Sequence, residues 1–66
     1  MTVTVNGRAQ ETDTGETIES LLDRLGLAAR YALVERNGEP VERDRYGETL
    51  LVDGDTLVVA RPVAGG

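Results

Sequence analysis

Three times the chain sets Asn or Asp directly before glycine, at Asn6-Gly7, Asn37-Gly38 and Asp53-Gly54. Such pairs suit two-residue hairpin turns, because both central positions of those turns take positive φ. Turns at these spacings divide the 66 residues into short extended pieces with room for one helix. "TVTV" at 2–5 alternates polar and apolar residues, as a half-buried strand does. Asn6-Gly7 turns it into a return arm, "RAQET" at 8–12. A third strand is predicted over 31–36, running into Asn37-Gly38. Pro40 has no backbone N–H, which limits the segment around Val41 to a short edge strand. "DRYGET" reads as an irregular or 3₁₀ connection broken at Gly47. The last hairpin is predicted as a short strand at 49–52, the Asp53-Gly54 turn, and a strand at 56–61.

The helix lies in "TGETIESLLDRLGL". Ile18, Leu21, Leu22 and Leu25 fall at i, i+3, i+4 and i+7, on one face. Thr17 is the N-cap, its hydroxyl accepting from a free backbone N–H. Glu19 and Asp23 toward the start and Arg24 toward the end agree with the helix dipole. Gly26 takes the left-handed position after the helix, and Leu27 folds back on the last turn.

A single helix covers one face of one small mixed sheet, which makes an α+β two-layer domain. The order of elements predicts a ubiquitin-like β-grasp, with the first and last strands as central neighbours. Residues 1–61 form the domain and 62–66 a C-terminal tail. The core is valine and leucine without Phe or Trp; Tyr31 and Tyr46 are expected as partly buried core or rim. In the last strand Leu57 and Val59 share one face, Val58 and Ala60 the other. If the first pair meets the helix, the second lies on the open face of the sheet. A partner docking there would bury Val58, Ala60, Arg61 and Val63.

The residue types that are missing narrow the chemistry. The chain has no Cys and no His, and all seven basic residues are Arg. It lacks a thiol nucleophile, a disulfide, the commonest general base and a Schiff-base amine. So small a body is not expected to enclose an ordinary substrate pocket, and no catalytic residue is assigned to it. A net charge of −5, with acids and arginines interspersed, argues against nucleic acid as a partner. No apolar run approaches a membrane span, and the N-terminus does not resemble a signal peptide; the expected setting is cytoplasmic. Asp53 and Asp55 flank a turn glycine and are read as shaping that turn, since a calcium site needs further ligands; no metal is expected. Arg43 and Arg45 read as a solvated face.

The sequence runs from its last strand into "RPVAGG". "VNG", "TIESLLDRLGL", "VERNGEPVERDRY", "DGDTLVV" and "AGG", in this order over nearly the whole length, resemble the ubiquitin-like sulfur carriers of the ThiS type. The resemblance implies that an adenylyltransferase akin to ubiquitin-activating enzymes (ThiF-type) adenylates the C-terminal glycine with ATP. Sulfur drawn from cysteine by a donor system then turns the adenylate into a thiocarboxylate. Thiazole synthase (ThiG-type) receives the sulfur for the thiazole ring of thiamine. Gly66 would carry the sulfur, with Gly65 as its slender neighbour. No cofactor would be bound, ATP being used by the partner. The Pro-Val tail resembles that of the molybdopterin synthase small subunit at least as well, which implies the same chemistry in another pathway. A protein modifier joined through Gly66 and a passive interaction domain are further alternatives.

The residues fit such a role on chemical grounds. A terminal carboxyl titrates at about 3.3–3.7, so it is ionised at neutral pH and a poor electrophile until a better leaving group is attached. Glycines at 65 and 66 let the backbone pass a narrow channel. Residues 62–66 fully extended reach roughly 17 Å, at about 3.3–3.6 Å each. Pro62 limits freedom at the root of that reach.

Overall fold

The structure, a computed structural model, describes residues 1–61. Five strands and one α-helix follow in the order β1 (Thr2–Val5), β2 (Arg8–Glu11), α1 (Ile18–Arg24), β3 (Leu33–Arg36), β4 (Glu39–Val41) and β5 (Thr56–Ala60). Short 3₁₀ turns at Ala29–Tyr31 and Arg43–Arg45 complete the chain of elements. The sheet order is β2-β1-β5-β3-β4, with β1 and β5 parallel and the other pairs antiparallel. This is the predicted mixed β-grasp sheet, and its central strand is the last one.

Both Asn-Gly pairs make the expected hairpins. Val5 faces Arg8 across the first turn and Arg36 faces Glu39 across the second. Asn6 and Asn37 take φ of 51° and 52°, followed by Gly7 at 84° and Gly38 at 85°. Asparagine tolerates this left-handed region better than other side-chain-bearing residues, which is why the turns close in two residues.

Thr17 caps α1 as predicted. Its hydroxyl accepts from Ser20 N at 3.1 Å, while Ser20 Oγ accepts from Thr17 N at 2.9 Å. At the other end Gly26 (φ 75°) lets Leu27 N donate to Leu22 O at 2.8 Å and Gly26 N to Asp23 O at 3.1 Å. These two bonds form a Schellman stop, which satisfies carbonyls that the seven-residue helix leaves free. Arg24 ties the helix to the β2 end, donating to Glu11 O at 2.9 Å and to Glu16 Oε1 at 3.0 Å. The bond from Arg24 holds the Glu16 carboxyl below the usual carboxylate value.

Ile18, Leu21 and Leu22 of α1 meet Val3, Val5, Val34, Leu57 and Val59 of the sheet. Leu51 and Ala32 close the gaps, and Leu25 and Leu27 pack at the rim. Full burial of each large aliphatic side chain contributes about 1.5–3 kcal/mol. Among the described residues no helix is long and apolar enough to cross a membrane.

Three expectations change. No strand forms at 49–52, so the Asp53-Gly54 turn does not close a hairpin. Leu50 makes only an isolated antiparallel bridge to Thr17, and Leu51 N donates to Glu16 O at 2.9 Å. The reason is competition: β1 and β3 occupy both edges of β5, and segment 49–52 bonds to the approach of α1 instead. The third strand starts at Leu33 rather than 31, because Ala29–Tyr31 coil into a 3₁₀ turn. Tyr31 consequently stands 55% exposed, with Arg30 Cζ 5.3 Å from its ring centroid. Tyr46, by contrast, is a fully enclosed core residue, 2% exposed.

Candidate functional site

The far end of β5 leads toward the tail, so its surroundings define what a partner would meet. Leu57 and Val59 are buried against the helix side, and Val58 is 49% exposed on the open face with Ala60 and Arg61 also exposed. The alternation of β5 thus falls as predicted. Leu33, paired with Ala60 on the neighbouring strand, adds a second large apolar side chain at 53% exposure. Val58, Ala60, Leu33, Glu35, Pro40 and Val41 line a surface groove of about 310 Å³. A second surface groove, about 420 Å³, runs by Arg36, Glu39, Val41, Glu42 and Arg45. Its arginines are already paired, Arg36 with Asp55 and Arg45 with Glu48. The first groove is the more apolar of the two and adjoins the end of β5.

From Asp55 onward, backbone groups of alternate residues turn toward β1. Asp55 O accepts from Thr4 N at 2.8 Å and Leu57 O from Asn6 N at 2.9 Å. At Val59 the main chain of β1 has already turned away, and the Asn6 side chain takes its place. Asn6 Oδ1 accepts from Val59 N at 2.8 Å while Asn6 Nδ2 donates to Val59 O at 3.0 Å. On the other side, Tyr46 fixes the start of β3: its hydroxyl donates to Ala32 O at 2.8 Å and accepts from Val34 N at 3.1 Å. Leu33, between those two residues, faces Ala60.

The near end of β5 is held differently. Asp55, 5% exposed, accepts from Val52 N at 2.9 Å, Asn37 Nδ2 at 3.0 Å and Arg36 Nε at 3.0 Å. Burial opposes the charge, but these donors and the Arg36 guanidinium outweigh it and hold the carboxyl below its ordinary value. Asn37 also accepts from Thr56 N at 2.9 Å through Oδ1. Asp53 Oδ1 accepts from Thr2 N at 2.8 Å. Both aspartates therefore serve the turn and the strands beside it, as expected from their places around Gly54.

The model of the ThiS family matches residues 3–66. The chain belongs to the ThiS family. The sulfur carrier protein ThiS of Bacillus subtilis, a relative within this family, is 41% identical over 54 residues, covering 82% of this chain and 80% of that protein. A solved ThiS structure, the thiamine biosynthesis protein of Geobacter metallireducens, superposes with a TM-score of 0.80 at 37% identity, each chain covered in full. The chain is also 35% identical, over all 66 residues, to a thiazole synthase of Paramagnetospirillum magneticum. It spans a fifth of the length of that protein, 20%. The resemblance to ThiS-type carriers and the ubiquitin-like fold are thereby established.

Of the residues singled out from the sequence, Val58, Ala60 and Arg61 come together at the exposed end of β5. Val63, Gly65 and Gly66, with the division of the chain at 61/62, lie outside the described residues or at their boundary. Three residues that shape the far end of β5 escaped the sequence reading: Asn6, Leu33 and Tyr46. The Asn-Gly pairs were legible as turns, but nothing local says that their amides reach across to β5. Tyr46 signalled burial only through its aromatic ring.

Proposed function

We propose that this chain is a sulfur carrier of thiamine biosynthesis, acting through the carboxylate of Gly66. The observation that carries the reading is the ThiS-family match, which takes in residues 3–66 and so includes Gly65-Gly66. An ATP-using adenylyltransferase joins the Gly66 carboxylate to AMP with loss of pyrophosphate, giving the acyl carbon a good leaving group. Sulfur at the sulfide level, drawn from cysteine by a donor system, displaces AMP and leaves a thiocarboxylate. None of these steps asks for a nucleophile or base from this chain, in keeping with its lack of Cys, His and Lys. In this reading the chain is a protein co-substrate and not an enzyme, binds no cofactor of its own, and works in the cytoplasm beside its ATP-dependent partner.

Delivery goes to thiazole synthase. A stretch similar to the whole chain forms a fifth of a protein bearing that name, which supports this partner over the molybdopterin synthase large subunit. Both partners dock on the apolar end of β5, through Val58, Ala60, Arg61 and Val63. The exposed Val58 and the groove beside it support that placement.

The test is the intact mass after incubation with ATP, a sulfur source and the adenylyltransferase. The expected result is the gain of an oxygen-to-sulfur exchange, localised to Gly66 by fragmentation. No gain, with an enzyme shown to act on a known carrier, would overturn the reading. Covalent adducts to other proteins through Gly66 would instead point to a modifier.

A further inference from the structure

Asn6 and Asn37 occupy the same position in equivalent turns, with φ of 51° and 52°. Each folds its side chain back onto the same strand, but at opposite ends. Asn37 grips Thr56 and Asp55 where β5 begins, whereas Asn6 grips both backbone groups of Val59, seven residues before Gly66. Without Asn6, β5 beyond Leu57 would have no partner from the β1 side, because the chain reverses at Asn6-Gly7 after Val5 pairs with Leu57. The amide prolongs the parallel ladder by one residue pair past the point where the backbone of β1 leaves it.

We infer that Asn6 is a positioning residue for activation of the C-terminus: it holds the end of β5 in line, so that the apolar end of the strand is presented in one direction to the activating enzyme. This rests on the carrier reading above and adds to it a residue that acts through the backbone of Val59, between the docking residues Val58 and Ala60. The physical ground is pre-organisation. A strand end that is already fixed loses less conformational freedom on docking, so association is tighter with no new contact. Side-chain amide bonds to a backbone are modest individually, and both are exchanged for water when the side chain is removed. The effect should therefore appear in recognition of the carrier and not in the chemistry at the acyl carbon.

Glycine is the informative replacement, since it keeps the positive φ and deletes only the amide. Asn6→Gly and Asn37→Gly each remove two side-chain hydrogen bonds to or beside β5. Asn37→Gly is thus a matched control for loss of stability alone. The experiment follows thiocarboxylate formation on the full chain against carrier concentration, with the ATP-dependent activating enzyme and a sulfur source. It also records amide exchange at Val59 by NMR. For Asn6→Gly the expected result is faster exchange at Val59 and a KM raised by about three- to tenfold with kcat unchanged, the size that one or two modest hydrogen bonds convert to. Asn37→Gly should leave KM at the unaltered value. Asn6→Asp, which retains the acceptor for Val59 N but loses the donor, should fall between. Equal KM for the two glycine variants, or a change in kcat alone, would overturn the assignment while leaving the carrier reading intact. An unaltered chain that gains no sulfur would overturn the carrier reading, and with it this role for Asn6.

Discussion

The two ends of β5 are built by opposite means. Its start is a polar hub around the buried Asp55, whose carboxylate accepts from the Arg36 guanidinium, the Asn37 carboxamide and Val52 N, while Asn37 also accepts from Thr56 N. Its far end is held by one amide on the β1 side and by pairing with Leu33 on the other, with apolar side chains open to solvent. Buried polar groups must be satisfied, and among the described residues no buried side-chain nitrogen or oxygen lacks a partner. The exposed end is under no such demand, since water satisfies whatever the chain does not. The denser polar fixation sits at the start of β5, while at the end that carries the proposed docking residues a single side-chain amide fixes the β1 side.

The strongest way to break this contrast is Asp55→Ala. It leaves the Arg36 guanidinium, Asn37 Nδ2 and Val52 N without their acceptor, and should cost about 3 kcal/mol of unfolding free energy, read by chemical denaturation. The same carboxylate predicts an acid limb. Its value in the folded state is held below the ordinary one of about 3.9, so its stabilisation is present above that pH and is lost as pH falls through the folded value. Denaturation midpoints should be insensitive to Asp55 protonation between pH 6 and 8 (about two units or more above the carboxylate range) and should drop on acidification below it. In Asp55→Ala that drop should be smaller.

Tyr46→Phe sharpens the contrast from the other side. It strands Ala32 O and Val34 N in the core and should cost about 1–3 kcal/mol. Amide exchange should rise first around Leu33 and Ala60, the pair that closes the far end of β5. Asn37→Gly and Asn6→Gly come next, each expected to lower stability by about 1 kcal/mol, with exchange rising at Thr56 in one and Val59 in the other. Val58→Glu comes last. On the exposed face it should change stability by no more than about 0.5 kcal/mol, yet weaken capture by the activating enzyme. A large loss of stability there would mean that the far end of β5 is not the open surface described above.

Much of this architecture was legible in the chain. The Asn-Gly pairs located two hairpins because few residues other than Asn and Gly tolerate positive φ at adjacent positions. Thr17 and Gly26 marked the limits of the helix through local hydrogen bonding, and the alternation of β5 separated Leu57 and Val59 from Val58 and Ala60. Segment 49–52 misled for an instructive reason. "TLLV" beside Asp53-Gly54 has the local look of a hairpin arm, but whether it pairs depends on which edges of β5 are already taken. Those edges belong to strands more than 20 residues away in one case and more than 50 in the other. Tyr31 and Tyr46 were alike in the sequence and differ completely in the fold, because Tyr31 ends one 3₁₀ turn with its ring exposed, whereas Tyr46, directly after the other, reaches to the start of β3 with its hydroxyl.

What the sequence by itself determined were the features that close within a few residues: turn type, helix caps, the in-and-out pattern of each strand, and a set of residue types without Cys, His or Lys. Tertiary structure decided the rest, namely which strands flank β5, the carboxylate hub at its start and the amide that prolongs its pairing at Val59. The physical reason is range. A φ angle or a cap bond is settled by neighbours along the chain, whereas the partner of Asn6 lies 53 residues away and Asp55 draws Arg36 and Asn37 from 19 and 18 residues before it.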